Sequence, residues 1–309
     1  MLPSTGRGLF YLAYSGLKIL KPIAVQTINR QKLLSNRNKY NTGVFLVSLS
    51  IFTSNTKPID DSEENEIEEE IKSKIKEADL LYKQNKYKEV YNLLKEYEDS
   101  SEVEVLWRLS RVLYNISQEH EMRPDEKKAL IFESFDIISR SLALDETNFA
   151  NHKWMSILLD ARTAYDGIKA RISHLGSVKN HMLKAIELNP KDATTLYMLG
   201  LWCYQITDMP WYQRKIASTV FAAPPVSSYE EALEYFIKAE EIEPRFYSQN
   251  LLMLGKTYLK LKKEDKARYY LDLACHYPIA TDDDHLANKE ACELLKKFKT
   301  IRRQKEGDV

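Results

Sequence analysis

The stretch Leu196-Tyr197-Met198-Leu199-Gly200, answered downstream by Ala232-Leu233-Glu234-Tyr235-Phe236-Ile237-Lys238-Ala239 and closed at Pro244, decides the fold of this chain. Leu196, Leu199 and Gly200 recur at the spacing that puts side chains on one face of a helix, and Ala232, Phe236 and Ala239 do the same on a second. A small residue on each helix lets the two axes approach closely, a large one fills the space beside it, and the proline stops the second helix. The pattern predicts a helical hairpin.

The same order recurs on both sides. Downstream, Leu251, Leu254, Gly255 and Tyr258 are followed by Ala267, Leu271 and Ala274, with Pro278 slightly early. Upstream, Trp154, Ile157, Leu158 and Ala161 lead to Val178, Met182, Ala185 and Pro190. The hairpin halves there are separated by about eight residues more than the family period. Before that, Leu106, Leu109, Ser110 and Leu113 lead to Ser134, Ile138 and Ser141, and the first copy reads Ala78, Leu81, Tyr82, Tyr87, Val90 and Leu94. The order L-x2-L-G, then A-x3-F-x2-A-x4-P, is that of the tetratricopeptide repeat. Five copies in series predict an all-α, tetratricopeptide-like helical-hairpin solenoid with degenerate, lengthened repeats and a C-terminal capping helix over His285 to Arg303. The corresponding domain plan is a basic segment at 1–59, a helical domain at 60–305 and a short tail at 306–309.

Charge divides the chain where composition does. Residues 1–59 carry eight Lys or Arg and no Asp or Glu, so 60–309 hold 37 basic against 45 acidic side chains, a net −8. An acidic body argues against a nucleic-acid binder and leaves local basic patches as the route to any acidic partner. In the basic head, Leu9-Phe10-Tyr11-Leu12 with Leu17, Ile19 and Leu20 can form an apolar helical stripe beside Arg7, Lys18 and Lys21. That composition suits a mitochondrial address or a membrane-associating segment; a disordered basic arm is the alternative. The apolar run Val44 to Phe52 is too short to span a bilayer, which needs about 20 residues.

The chain carries few signatures of chemistry. There is no phosphate-binding G-x-x-x-x-G-K-[ST] loop, no G-x-S-x-G elbow, no H-E-x-x-H and no G-x-G-x-x-G. Cys203, Cys275 and Cys292 sit on helical patterns without C-x-x-C spacing and are expected to be reduced, core or half-buried thiols. His174 and His181 could share a helix face, but two histidines without a third ligand do not make a metal centre. Thr281 followed by Asp282-Asp283-Asp284 reads as a helix start rather than a calcium loop. No catalytic residue, cofactor or metal is expected.

Two surfaces remain. The first helices of such hairpins line a concave face, whose inward positions are Trp107, Arg111 and Tyr114; Met155, Leu159 and Arg162; Tyr197, Leu201 and Tyr204; and Leu252, Lys256 and Leu259. This apolar and aromatic groove could take an amphipathic helix or an acyl chain, with Arg111 or Arg162 near a phosphate; alternatively its residues are core. The second surface is the insertion Asp208 to Ser228, in which Trp211 and Tyr212 stand beside Arg214 and Lys215. It reads either as an exposed contact anchored by Trp211 or as a short helix whose Trp211 and Phe221 plug the superhelix.

At His152-Lys153-Trp154, Gly167-Ile168-Lys169-Ala170, Lys184-Ala185-Ile186-Glu187-Leu188-Asn189-Pro190-Lys191-Asp192-Ala193-Thr194, Met209-Pro210-Trp211-Tyr212-Gln213-Arg214 and Leu254-Gly255-Lys256-Thr257-Tyr258-Leu259-Lys260-Leu261, the chain resembles the regulator of microtubule dynamics family. The likeness covers about 70 to 300, and M-P-W-Y-Q-R is its most distinctive part. The resemblance implies a non-enzymatic tetratricopeptide-like protein that associates with microtubules, spindle and spindle poles in the cytoplasm. Another branch of the family is anchored at mitochondria, links them to endoplasmic reticulum and binds phospholipid, but this chain carries no spanning helix or phenylalanine-acidic tract like that branch. Tubulin is acidic, so the local cations Arg214 and Lys215, the 1–59 arm, and Lys296, Lys297, Lys299, Arg302, Arg303 and Lys305 become the candidates for contact.

Overall fold

The computed structural model describes residues 61–119 and 122–307, and among these every regular element is helical. The elements are α1 (Asp61–Lys83), α2 (Tyr87–Leu94), α3 (Val103–Ser117), α4 (Pro124–Leu144), α5 (Phe149–Thr163), α6 (Ile168–Ser173), α7 (Leu175–Leu188), α8 (Ala193–Thr207), α9 (Trp211–Val220), α10 (Tyr229–Ile242), α11 (Ser248–Lys260), α12 (Glu264–Cys275) and α13 (Asp282–Gly307). The compact helical unit begins at Ile71, and the residues of α1 before it belong to a separate unit. The expected arm at 1–59 and its apolar runs lie outside the described residues, as do the side chains beyond Lys297. No helix among the described residues is long and apolar enough to cross a membrane.

The helices pair as hairpins: α3 with α4, α5 with α7, α8 with α10, and α11 with α12, while α13 lies against both α11 and α12. The first pair, α1 and α2, shares one cluster with α3 in which Ala78, Val90, Leu94, Leu106 and Leu109 are fully buried. A larger cluster runs from Tyr114 through α5, α7, α8 and α10 to Ala267, and a small third one seats Ala287 and Ala291 of α13 on Leu251, Leu252, Leu271 and Ala274. Burial of these apolar clusters is the main stabilising term of a solenoid, because each hairpin alone leaves a face uncovered.

Small residues mark the crossings of the second, fourth and fifth hairpins. In the second hairpin the crossing is made by two serines: Ser110 donates its hydroxyl to the carbonyl of Ser134 at 2.8 Å, and Ser134 donates to the carbonyl of Ser110 at 2.7 Å. Serine is therefore small enough for close approach, and each hydroxyl is satisfied although fully buried.

Turn chemistry separates plain hairpins from extended ones. Hairpins one and five close through a left-handed residue, Asn85 at φ 61° and Lys262 at φ 57°. Each is followed by the same pair of bonds, Lys86 N–H to Leu81 O and Lys263 N–H to Tyr258 O being the longer-range members. Hairpins three and four replace this turn with α6 and α9, and these two inserted helices pack on one another.

The capping helix starts where the acidic run predicts. Thr281 and Asp284 bond reciprocally, the Asp284 carboxylate accepting from Thr281 N–H at 2.9 Å and the Thr281 hydroxyl oxygen accepting from Asp284 N–H at 3.2 Å. The other Asp284 oxygen accepts from the buried Ser248 hydroxyl at 2.6 Å, and Asp283 accepts from Tyr247 at 3.0 Å, so the cap also docks α13 on α11.

One expectation is overturned. Cys275 and Cys292 are not free thiols but a disulfide, with Cα atoms 5.0 Å apart, that ties the end of α12 to α13. Only the chain reversal between these helices brings them together. Cys203 is free and buried, and burial pushes its thiol up to about 12.

Candidate functional site

Along the predicted concave face, Tyr114, Met155, Leu159, Tyr197, Leu201, Tyr204 and Leu252 are all buried members of the core clusters. Tyr197 sits edge-on to Tyr247 at 5.2 Å, Tyr114 lies 6.0 Å from Trp154, and Tyr204 lies 5.3 Å from Tyr229. Leu259 is half-buried against the same clusters. These positions therefore act as packing.

The cations predicted for this face are engaged by carboxylates of the fold itself. Arg111 pairs with Asp79 at 3.1 Å and stacks over the rings of Tyr82 at 3.6 Å and Trp107 at 4.9 Å. Asp79 is shared with Arg108, which holds it through two bonds of 3.0 and 2.8 Å. Burial alone would raise the Asp79 carboxyl, but Arg108 and Arg111 together pull it below its usual range. Trp107 donates its indole N–H to Glu104 at 3.1 Å. Arg162 faces Asp166 at 3.6 Å and lies over Phe132 and Phe135, while Lys256 pairs with Glu290 of α13 at 2.7 Å. An arginine already neutralised and stacked is a poor phosphate ligand, because the incoming anion must displace its partner.

The insertion behaves differently. On α9 the side chains of Gln213 and Ala217 are buried and those of Ile216 and Val220 half-buried, a helical stripe that faces the body. Trp211, Tyr212, Arg214 and Lys215 are exposed, Trp211 to 76%. The plug reading thus fails for Trp211, whereas Phe221, beyond the end of the helix, packs on the main cluster. Tyr212 lies edge-on to Trp211 at 6.2 Å. Arg214, although exposed, points back to α8 and donates to the carbonyls of Met209 at 2.8 Å and Thr207 at 2.7 Å. Lys215 forms no salt bridge among the described residues.

Residues that the repeat pattern did not single out complete this side of the molecule. Ala164 to Lys169 include an exposed stretch, with Tyr165 and Ile168 exposed to 39% each. They are held by Arg171 of α6, which grips the buried Asp160 of α5 with two bonds of 2.8 Å. Their signal in the sequence was the extra length of the third hairpin.

Among the described residues no group of three or more His, Cys, Asp or Glu could hold a metal ion. His181 faces His152 rather than His174, their Nδ1 atoms 3.0 Å apart. His152 donates Nε2–H to the carbonyl of Glu146 at 2.9 Å, which leaves its Nδ1 to accept from His181.

Residues 74–299 match the family described as Regulator of microtubule dynamics protein 1-3. The chain is 45% identical over 229 residues to regulator of microtubule dynamics protein 1 of Bos taurus, covering 74% of this chain and 72% of that one. It is 47% identical over 221 residues to the Mus musculus protein of the same name, covering 72% of each. Regulator of microtubule dynamics protein 3 of Rattus norvegicus is 32% identical over 230 residues, covering 73% of this chain and 49% of that one. Among solved structures, a thermophilic TPR protein of Thermus thermophilus superposes with a TM-score of 0.50 at 13% identity, covering 72% of this chain and 98% of that one, a likeness of fold alone.

Proposed function

The chain belongs to the regulator of microtubule dynamics protein 1-3 family, and from that premise we propose that it is a non-enzymatic interaction protein that associates with microtubules through the insertion on its solenoid. On this reading it works without cofactor or catalytic step, in the cytoplasm and at the spindle, with tubulin as its partner. The observation that carries the reading is Trp211, 76% exposed at the start of α9 beside the exposed Lys215. An indole left in water next to free positive charge is the composition of a binding hot spot for an acidic surface. The buried state of the predicted groove residues and the engagement of Arg111, Arg162 and Lys256 support the insertion over the concave face.

Co-sedimentation of the full chain with stabilised microtubules across a salt series tests the proposal. Binding should weaken as salt rises, and Trp211→Ala and Lys215→Glu should each weaken it by about tenfold or more. Wild-type binding by both variants would move the contact off the insertion. A wild-type chain that never pellets with microtubules, but binds anionic phospholipid vesicles, would overturn the reading in favour of a lipid-binding protein.

A further inference from the structure

We infer that α6 and α9 together form one docking ridge for an acidic, exposed protein segment, in which Ile168 and Lys169 of α6 extend the surface begun by Trp211, Tyr212 and Lys215 of α9. The inference rests on the microtubule reading for its leading partner and adds to it a second helix and a chemistry of recognition.

The two helices come from different hairpins, yet they pack on each other. Each has a buried anchor in the main cluster, Ile172 on α6 and Ala217 on α9. Each leaves large apolar groups in water: Ile168 at 39%, Tyr212 at 40% and Trp211 at 76% exposure. The ridge is also held in place from beneath. Arg171 fixes α6 to the buried Asp160, and Arg214 fixes α9 to the last carbonyl of α8, Thr207, and to that of Met209 in the turn after it. A surface ordered before it meets its partner loses little entropy on binding.

Charge selects the occupant. Arg171 and Arg214 bond to the fold, and Asp166, at the start of the ridge, is paired with Arg162 at 3.6 Å. Lys169 and Lys215 are exposed and form no salt bridge among the described residues. The ridge therefore offers uncompensated positive charge around an aromatic anchor, which complements a segment bearing several carboxylates and an apolar side chain. Two free lysines give little electrostatic hold on an anionic bilayer, where clusters of about four to eight cations are the usual requirement.

Trp211 reports its own occupancy. Trp154 and Trp202 are buried, at 6% and 2% exposure, and Trp107 is half-buried, so acrylamide quenching of the full chain is dominated by Trp211. Quenching should be read with a synthetic tryptophan-free, glutamate-rich peptide and with vesicles of phosphatidylcholine and phosphatidylserine, and binding to stabilised microtubules by co-sedimentation. The peptide should protect Trp211 and the chain should pellet with microtubules, and Lys169→Glu should weaken both by about tenfold without changing the melting temperature, since Lys169 is exposed. Protection by the peptide with no binding of microtubules would remove tubulin as the partner and leave the ridge standing. Unchanged affinity of Lys169→Glu would take α6 out of the surface and overturn the inference while the reading based on α9 survives. Protection by vesicles and not by the peptide would overturn the choice of an acidic protein occupant.

Discussion

Gly200 of α8 lies against the ring of Phe236 of α10 so closely that a Cβ on Gly200 would stand 2.7 Å from two of its ring carbons. Phe236 is fully buried and has no free direction in which to withdraw. Gly255 repeats the arrangement in the next hairpin, where a Cβ would meet Leu271 Cγ at 2.6 Å with the Leu271 backbone nitrogen at 3.2 Å behind it. Alanine gains about 1 kcal/mol of helix propensity over glycine, but overpacking a core costs about 1–3 kcal/mol. Both Gly200→Ala and Gly255→Ala should therefore be destabilising in urea titrations. Gly255→Ala should suffer more, because part of its obstacle is backbone. A Gly255→Ala chain as stable as wild type would contradict this account of the crossing.

The disulfide between Cys275 and Cys292 closes a loop of sequence separation 17 that contains the first turns of α13. The apolar seat of that helix is small, with Ala287 and Ala291 as its buried members and Leu294 and Leu295 half-buried. Closing a loop of this size stabilises by about 3 kcal/mol through the unfolded state. Reduction, or Cys292→Ser, should lower the melting temperature and expose α13 to limited proteolysis before the rest of the chain. Equal melting and equal protease resistance in both redox states would show that polar docking through Asp283 and Asp284 is sufficient.

The crossings were legible because their signal is local: Gly200 with Phe236, and Gly255 with Leu271, each lie within one repeat and obey helical spacing. The insertion was legible as an insertion but not in its orientation. The stripe that faces the body begins at Gln213, a polar side chain that is 3% exposed, so the apolar count left burial of Trp211 as an open alternative. The groove cations misled for a different reason. Arg111 and Lys256 are neutralised by Asp79 and Glu290, which lie on other helices and share no short spacing with them. The pairing of Cys275 with Cys292 likewise depends on the reversal from α12 to α13, which no cysteine motif encodes.

His181 faces His152 with their Nδ1 atoms 3.0 Å apart, a contact that low pH should break. Burial, and then the charge of His152, lower the His181 imidazole from its ordinary 6.5 to about 4. The unfolded chain thus binds this proton more readily than the folded one. The contribution is fully present above pH 6.5 and is lost progressively as pH falls toward 4. His181→Gln keeps a donor for His152 Nδ1 but cannot titrate, so its stability should vary less over that window. Parallel stability profiles for the two chains would sink the assignment.

Asp160 is buried at the centre of the bond network that holds α6, and burial raises its carboxyl above the usual range even with Arg171 opposing. Removing one partner of a buried pair leaves an uncompensated group, at a cost of about 3–5 kcal/mol. Arg171→Ala should lose stability on that scale, and hydrogen exchange should quicken first in α6. Global loosening with α6 no faster than α5 would show that the pair supports the hairpin rather than the insertion.

Arg214 and Lys215 are neighbours in sequence with different work, and their variants should part company. The Arg214 guanidinium bonds the Thr207 carbonyl at the end of α8 and the Met209 carbonyl in the turn after it, so part of any binding defect in Arg214→Ala comes from a loosened α9. The expected loss of stability is about 1 kcal/mol for these exposed bonds. Lys215 has no such role, and Lys215→Ala should melt like wild type while its microtubule affinity falls and loses part of its salt dependence. Arg214→Lys separates charge from geometry, since an ammonium keeps the positive charge but not the planar fork that reaches both carbonyls. If Arg214→Lys binds like wild type yet melts lower, the guanidinium serves the fold and the positive charge serves the partner; if it loses both, the position of α9 is what the partner reads.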